Sequence, residues 1–362
     1  MIHFPDDVPR RVSTDRPRLG FLGVGWIGHH RMKAMVETGL IEVAAIADPS
    51  REMVERAAAI APAAKQVATL DGLLHEGVDG IVIATPTALH PEQAIRALEH
   101  GAAVFCQKPL GRTAAEVQAV VDAGRAADRL LAVDFSYRFT EGMRRIRDLI
   151  RDGKLGRVYA MDLAFHNAYG PDKPWFYDPA LSGGGCVMDL GVHLIDLALW
   201  VLDFPDVSEV SADLFAGGEQ LTAADRTENY GIATLKLETG AVARIACSWH
   251  LHVGRDAVIT AAFYGTEGGA ELQNVNGSFY DFAAEHHRGT ARETLACPPD
   301  GWFGRAAVDW ATRLAAGERF DPAAARLIDT ARVLDRIYGR PGANEVHQST
   351  STRQEYLQSV AY

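Results

Sequence analysis

Between Arg18 and Ser136, short apolar runs alternate with amphipathic stretches, and this alternation restricts the chain to few folds. The runs RLGFLGV (18–24), EVAAIAD (42–48), GIVIATP (80–86), AAVFCQK (102–108) and LLAVDFS (130–136) are apolar nearly throughout, not at every second residue. Strands of that kind are buried on both faces, as in a parallel sheet covered by helices. A short strand near KQVA (65–68) completes a six-stranded set. Between them, segments such as HPEQAIRALEHG (90–101) place Ala94, Ile95, Ala97 and Leu98 near helical spacing, with Gly101 to close the C-terminus. The expectation is an α/β, Rossmann-like, doubly wound parallel sheet over residues 17–140.

After the basic helix RRIRDLIRDGK (144–154) the pattern changes to longer strands: 157–167, 207–217, 230–240, 241–252 and 257–272. Glycine-containing turns such as Glu238-Thr239-Gly240 suit antiparallel hairpins. Helices return at 305–317 and 321–339, the second opened by Asp321-Pro322 as N-cap and first-turn proline. Residues 141–339 therefore read as a substrate-binding and oligomerisation α+β domain with one large open, mainly antiparallel sheet. Residues 1–16 read as a mobile leader. Residues 340–362 read as a C-terminal tail, either mobile or strapped onto a partner subunit.

A formal charge of −11 argues against nucleic acid or an anionic membrane as partner, since either needs a contiguous basic surface. Cys106, Cys186, Cys247 and Cys297 lie far apart and form neither a zinc-type pair nor a disulfide framework, which fits a reducing, cytoplasmic setting. The N-terminus lacks the apolar core of a signal peptide, and no run approaches the roughly 18 apolar residues of a membrane helix.

The chemistry-bearing residues cluster at the predicted strand ends. GVGWIG (23–28) sets Gly23, Gly25 and Gly28 at GxGxxG spacing between a strand and a helix, with Trp26 and Ile27 inside the turn. Glycines there permit the tight turn and close backbone approach to a pyrophosphate, whose charge the helix N-terminus stabilises. Asp48, twenty residues on at the end of the second strand, can accept the ribose hydroxyls of NAD and would repel a 2′-phosphate. Arg51 nearby leaves NADP use open. Thr85, Pro86 and His90 follow the next long strand at the edge where open parallel sheets hold ligands. The strand after it ends on Gln107, Lys108 and Pro109, setting an ammonium close to the expected nicotinamide.

Partners for Lys108 appear in SGGGCVMDLGVHLIDLALW (182–200), where Asp189, His193 and Asp196 fall at i, i+4 and i+7 of an otherwise apolar helix. A carboxylate one turn from an imidazole can orient the ring for general base work. For substrate recognition, the loop FHNAYGPDKPWFYDP (165–179) offers His166, Asn167, Tyr169, Trp175 and Asp178, and Arg138 follows Tyr137 after the last Rossmann strand. Arg138 and Trp175 carry the most weight. His250 and His252 have a spacing that could bind metal, but without a neighbouring acid they read as residues of a sheet face, and no metal is expected.

Taken in order, GVGWIG with Asp48, ATPTALH, CQKPLGRT, YRF (137–139) and the GGG...D...H..D helix resemble the Gfo/Idh/MocA oxidoreductase family. The resemblance implies catalytic roles for Lys108, Asp189 and His193, an NAD cofactor (with NADP as the variant), and substrates that are mostly sugars, polyols or their derivatives. It also implies a cis Lys108-Pro109 peptide. Gln107 departs from the pattern, which usually has glutamate before the lysine. The function expected is hydride transfer between a secondary alcohol and the nicotinamide. The alternatives are a non-catalytic NAD(P)-binding regulator and a reductase resembling dihydrodiol dehydrogenase or biliverdin reductase. The open sheet is expected to be covered by a second copy, as a homodimer or homotetramer.

Overall fold

The computed structural model describes residues 16–222 and 226–340. The leader up to residue 15 and the tail beyond Arg340 lie outside the described residues.

The alternating first half forms six strands: β1 (Arg18–Leu22), β2 (Glu42–Ala47), β3 (Lys65–Gln66), β4 (Gly80–Ile83), β5 (Ala103–Cys106) and β6 (Leu131–Val133). All pairings are parallel and the order is β3-β2-β1-β4-β5-β6. Strand order reverses between β1 and β4, so a crevice opens at their C-terminal ends, where the glycine turn, Thr85 and Lys108 stand.

The second sheet has nine strands: β7 (Val158–Asn167), β8 (Val207–Ala216), β9 (Glu219–Gln220), β10 (Tyr230–Leu237), β11 (Val242–Ser248), β12 (Ala257–Gly265), β13 (Gly269–Asn274), β14 (Phe282–Arg288) and β15 (Ala291–Ala296). Its order is β15-β14-β13-β12-β7-β11-β10-β8-β9. The sheet is mixed, since β7 and β11 run parallel while the other pairs are antiparallel. β14 and β15 had no counterpart in the sequence reading: β15 is exposed along most of its length, and β14 alternates in burial although its sequence, FAAEHHR, alternates little in polarity.

Three further expectations need amendment. β11 ends at Ser248, so His250 and His252 lie beyond the strand, with His250 at φ 57°. The helix Arg305–Ala315 packs on the first domain: Trp310 is fully buried with its ring 5.8 Å from that of Phe105 in β5. Gly80 allows this approach, because a Cβ there would stand 2.8 Å from the Trp310 ring. The chain thus returns to its first sheet after building its second. Finally, Pro179–Trp200 is long and apolar enough by length and composition to cross a membrane, contrary to expectation, yet 83% of its apolar 18-residue window is buried within the protein. It is apolar all round because it is a core helix between sheet and cleft.

Candidate active site

The glycine turn shows why Gly23 and Gly28 are required. Gly23 adopts φ +83°, and a Cβ there would come 2.5 Å from the Ala84 carbonyl oxygen; one on Gly28 would stand 2.1 Å from the Gly23 oxygen. Gly25 differs, since nothing lies within 4 Å of its would-be Cβ. It caps the helix Trp26–Glu37 without a side-chain hydrogen bond, leaving the amide end of that helix open to an anion. Asp48 accepts from the Val24 amide with Oδ2 and from the Ser50 amide with Oδ1, both at 2.8 Å, which fixes the carboxylate at the lip of β2. Each oxygen keeps a lone pair for a ribose hydroxyl. This open cradle and its acid fit a dinucleotide.

At the next edge, Thr85 and Pro86 line the cleft. His90 lines it too, but its ring nitrogens meet the carbonyl oxygens of Pro109 (2.8 Å) and Thr85 (2.7 Å). It is therefore a strut between the two loops and offers a ligand no free nitrogen. Lys108-Pro109 is cis, as expected. Lys108 Nζ donates to Asp189 Oδ1 at 2.7 Å and to the Asp189 carbonyl at 2.6 Å.

The helix expected to carry Asp189, His193 and Asp196 on one stripe is a π-helical turn over Val187–Gly191 followed by an α-helix, Val192–Trp200. The wider turn breaks the expected i, i+4 alignment. Asp189 turns to Lys108 and accepts from Trp249 Nε1 (3.2 Å), while His193 Nδ1 is buried without a partner. The aspartate therefore positions the ammonium instead of the imidazole.

Asp196 faces away from the cleft and holds Arg138 through both oxygens, with Nε to Oδ2 at 2.7 Å. The guanidinium packs among Phe135, Trp200 and Phe204. Contrary to the sequence reading, Arg138 does not line the cleft: its charge is taken up by Asp196 inside the second domain. His166 is corrected likewise. Strand alternation points Phe165 and Asn167 into the cleft and His166 to the other face, where it stacks on Tyr230 and reaches Ser248 Oγ at 2.8 Å. Trp175 does line the cleft, stacked on Phe176.

These elements enclose a cleft of about 590 Å³ between the two sheets. Sequence reasoning missed Arg31, Asp134, Tyr280, Trp302 and Phe303, which also line it. Arg31 left a signal: with Gly28, Met32 and Met35 it occupies the buried stripe of its helix, an odd place for a guanidinium. Four buried polar atoms without partners belong to side chains of this cleft: Arg31 Nη1, Asp134 Oδ1, Asn167 Oδ1 and His193 Nδ1. Among the described residues, no group of three or more His, Cys, Asp or Glu side chains could hold a metal.

Residues 18–135 match an oxidoreductase family described by its NAD-binding Rossmann fold, and residues 143–271 match the GFO/IDH/MocA C-terminal domain. An inositol 2-dehydrogenase of Acidiphilium cryptum is 30% identical over 259 residues, 70% of this chain and 73% of that one. The chain belongs to the GFO/IDH/MocA family. A D-glucoside 3-dehydrogenase of Escherichia coli is 29% identical over 205 residues, 54% of this chain and 58% of that protein, so the match spans little more than half of that relative. Levoglucosan dehydrogenase in complex with NADH and levoglucosan shares the fold, with a TM-score of 0.77 at 22% identity, over 90% of this chain and 97% of that one.

The electrostatics of this GFO/IDH/MocA cleft are uneven. Burial, together with the charges of Lys108 and Arg31, holds the His193 pKa well below its ordinary value, so the imidazole is neutral at neutral pH. Burial raises the Asp196 pKa while Arg138 opposes it, and burial raises the Tyr137 phenol, leaving it protonated. Tyr137 packs edge-on against His193 at 4.8 Å and fixes the plane of the ring in the place of a carboxylate.

Proposed function

We propose that this chain is an NAD(P)-dependent dehydrogenase, with NAD preferred, acting on a secondary alcohol of a sugar, polyol or sugar derivative. The observation that carries the reading is the convergence of Lys108, Asp189 and His193 on one cleft with unpartnered buried polar atoms, beside an open glycine cradle. Family membership and relatives named as inositol and glucoside dehydrogenases point the same way. NAD is favoured by Asp48, whose carboxylate is held at the ribose end, and by Arg51, whose side chain is 92% exposed and already paired with Glu55.

The Gly23–Gly28 turn, Asp48, Thr85 and Pro86 would hold the dinucleotide. When bound, its nicotinamide supplies the hydride acceptor. Two of the three Lys108 Nζ protons are directed at Asp189, which leaves one for the substrate oxygen, where the ammonium stabilises developing alkoxide in a water-poor site. The neutral His193 imidazole takes the hydroxyl proton as the C–H electron pair leaves as hydride and the C–O bond becomes a carbonyl. In the reverse direction the imidazolium returns that proton. Trp175 offers an aromatic face to a polyhydroxylated ligand, and Asn167 lines the same cleft.

The test is to follow nicotinamide absorbance with NAD or NADP against a panel of sugars and polyols. Turnover of at least one of them, lost in Lys108→Ala, is the expected result. Cofactor binding with no turnover across the panel would favour the non-catalytic regulator.

A further inference from the structure

Trp249 is 2% exposed, stands one residue beyond β11 and is not among the side chains lining the cleft, yet it touches two parts of the site. Its amide donates to the Asn229 carbonyl at 2.8 Å, which fixes the backbone from which the indole projects. Nε1 of the ring donates to Asp189 Oδ2 at 3.2 Å, while Oδ1 of the same carboxylate accepts from Lys108 at 2.7 Å. The ring also carries the turn Pro174–Tyr177 at the cleft: Phe176 meets it edge-on with centroids 6.3 Å apart, and Tyr177 at 5.5 Å. Trp175 in turn stacks on Phe176 at 3.8 Å. None of the four residues of that turn is buried, so the indole gives it a support that its own packing does not.

The torsion that rotates an aspartate carboxylate about its own axis is broad, so a bond to one oxygen does not hold the plane of the group. A second bond on the opposite oxygen does. An indole N–H can only donate, so it suits that oxygen and does not compete for the Lys108 protons. We propose that Trp249 is a positioning residue with two separable tasks. Its N–H sets the Asp189 carboxylate and, through it, the Lys108 ammonium, while its ring holds Trp175 and Phe176 against the sugar. This assignment rests on the dehydrogenase reading above, in which Lys108 meets the substrate oxygen. The aim of the ammonium and the wall of the substrate site thereby depend on one side chain that touches neither substrate nor cofactor.

The test separates the two tasks in the whole protein, with the sugar that the panel above identifies. Trp249→Phe keeps a ring and removes the N–H: kcat is expected to fall about tenfold, as for one lost hydrogen bond to a charged group, with sugar KM within about twofold of wild type. Trp249→Leu removes both, so kcat should fall as far and KM should also rise, by about fivefold or more. In an Asp189→Ala background, adding Trp249→Phe should cost less than about twofold, because the indole acts through that carboxylate. A readout independent of turnover is the Trp249 indole N–H resonance, assigned by its loss in Trp249→Phe, which should move upfield in Asp189→Ala. Wild-type kcat in Trp249→Phe, even with a lowered melting temperature, would make Trp249 a packing residue and overturn the proposal. So would a tenfold loss repeated in the Asp189→Ala background, an indole resonance that ignores Asp189→Ala, or an unchanged KM in Trp249→Leu. If Trp249→Leu does not fold, the phenylalanine variant and the resonance still decide the role of the N–H. A wild-type protein that turns over no sugar would instead overturn the dehydrogenase reading, and the positioning role with it.

Discussion

Lys108 Nζ lies within 2.7 Å of both the side chain and the main-chain carbonyl of Asp189, across 81 residues of sequence. This contact joins the C-terminal edge of the parallel sheet to the helix under the second sheet. The ammonium is thus held in place within the protein, so in the proposed reaction it would stabilise the transition state without reorganisation. Lys108→Ala and His193→Ala are each expected to lose about two orders of magnitude or more in turnover while keeping NADH affinity within a few-fold. Steady-state kinetics paired with fluorescence titration checks both parts.

The depressed His193 pKa has consequences for pH. The unfolded imidazole titrates at its ordinary 6.5 and the folded one lower, so the neutral form persists below that pH in the native protein. The acidic limb of the oxidation rate is therefore expected below pH 6.5. For stability, the unfolded chain takes up the proton first, so this histidine's contribution is present at neutral pH and is lost as pH falls from 6.5 toward the folded value. A pH–rate profile and urea melts in parallel, compared with His193→Gln, measure the two effects.

Gln107→Glu would set a second carboxylate against Asp134 in place of the amide that now donates to it at 2.6 Å. The loss is expected to be about 1–3 kcal/mol at neutral pH. One member of the carboxylate pair would then have a raised folded pKa, so the penalty should shrink as pH falls from about 7 to about 5. A penalty independent of pH would count against direct repulsion between the two groups.

Arg138→Ala should act on stability and not on substrate binding. It leaves Asp196, 1% exposed, without its guanidinium, at an expected cost of about 3–5 kcal/mol. Thermal denaturation measures the loss, and the substrate KM of the folded fraction should stay near wild type. Replacing both partners, with Arg138→Met and Asp196→Leu, should recover much of the stability.

The outer face of the second sheet presents Ile232, opposite Ala246, and Tyr264, opposite Ala160, 42% and 41% exposed. We expect a second copy to cover it. Light scattering at micromolar concentration should show a dimer or tetramer, and Ile232→Asp should shift it toward monomer.

Much of this arrangement was legible because it is local. The glycine spacing, the apolar runs and Asp48 each follow from what a few consecutive residues can do, and the structure keeps them together at one sheet edge. The helix from Asp189 to Asp196 was legible as a helix but not in its winding: a π-turn cannot be told from an α-turn by apolar spacing in a segment that is apolar on all sides. His166 was misplaced by one step of strand alternation, the error that carries a side chain to the opposite face. Arg31 stood in plain view on a buried stripe, but its meaning depended on Asp134, 103 residues away.

By itself, then, the sequence determined the alternating α/β half, the nucleotide turn, the strand-end lysine and the family. Those features depend on backbone propensity and short-range periodicity, which act within a few residues. Only the tertiary structure decided that Asp189 serves Lys108, that Arg138 is absorbed by Asp196, and that Arg31 and Asp134 pair in the interior beside the cleft. The reason is physical: a buried charge must find its partner in space, and the partner is whichever group the packing of the two sheets brings within reach.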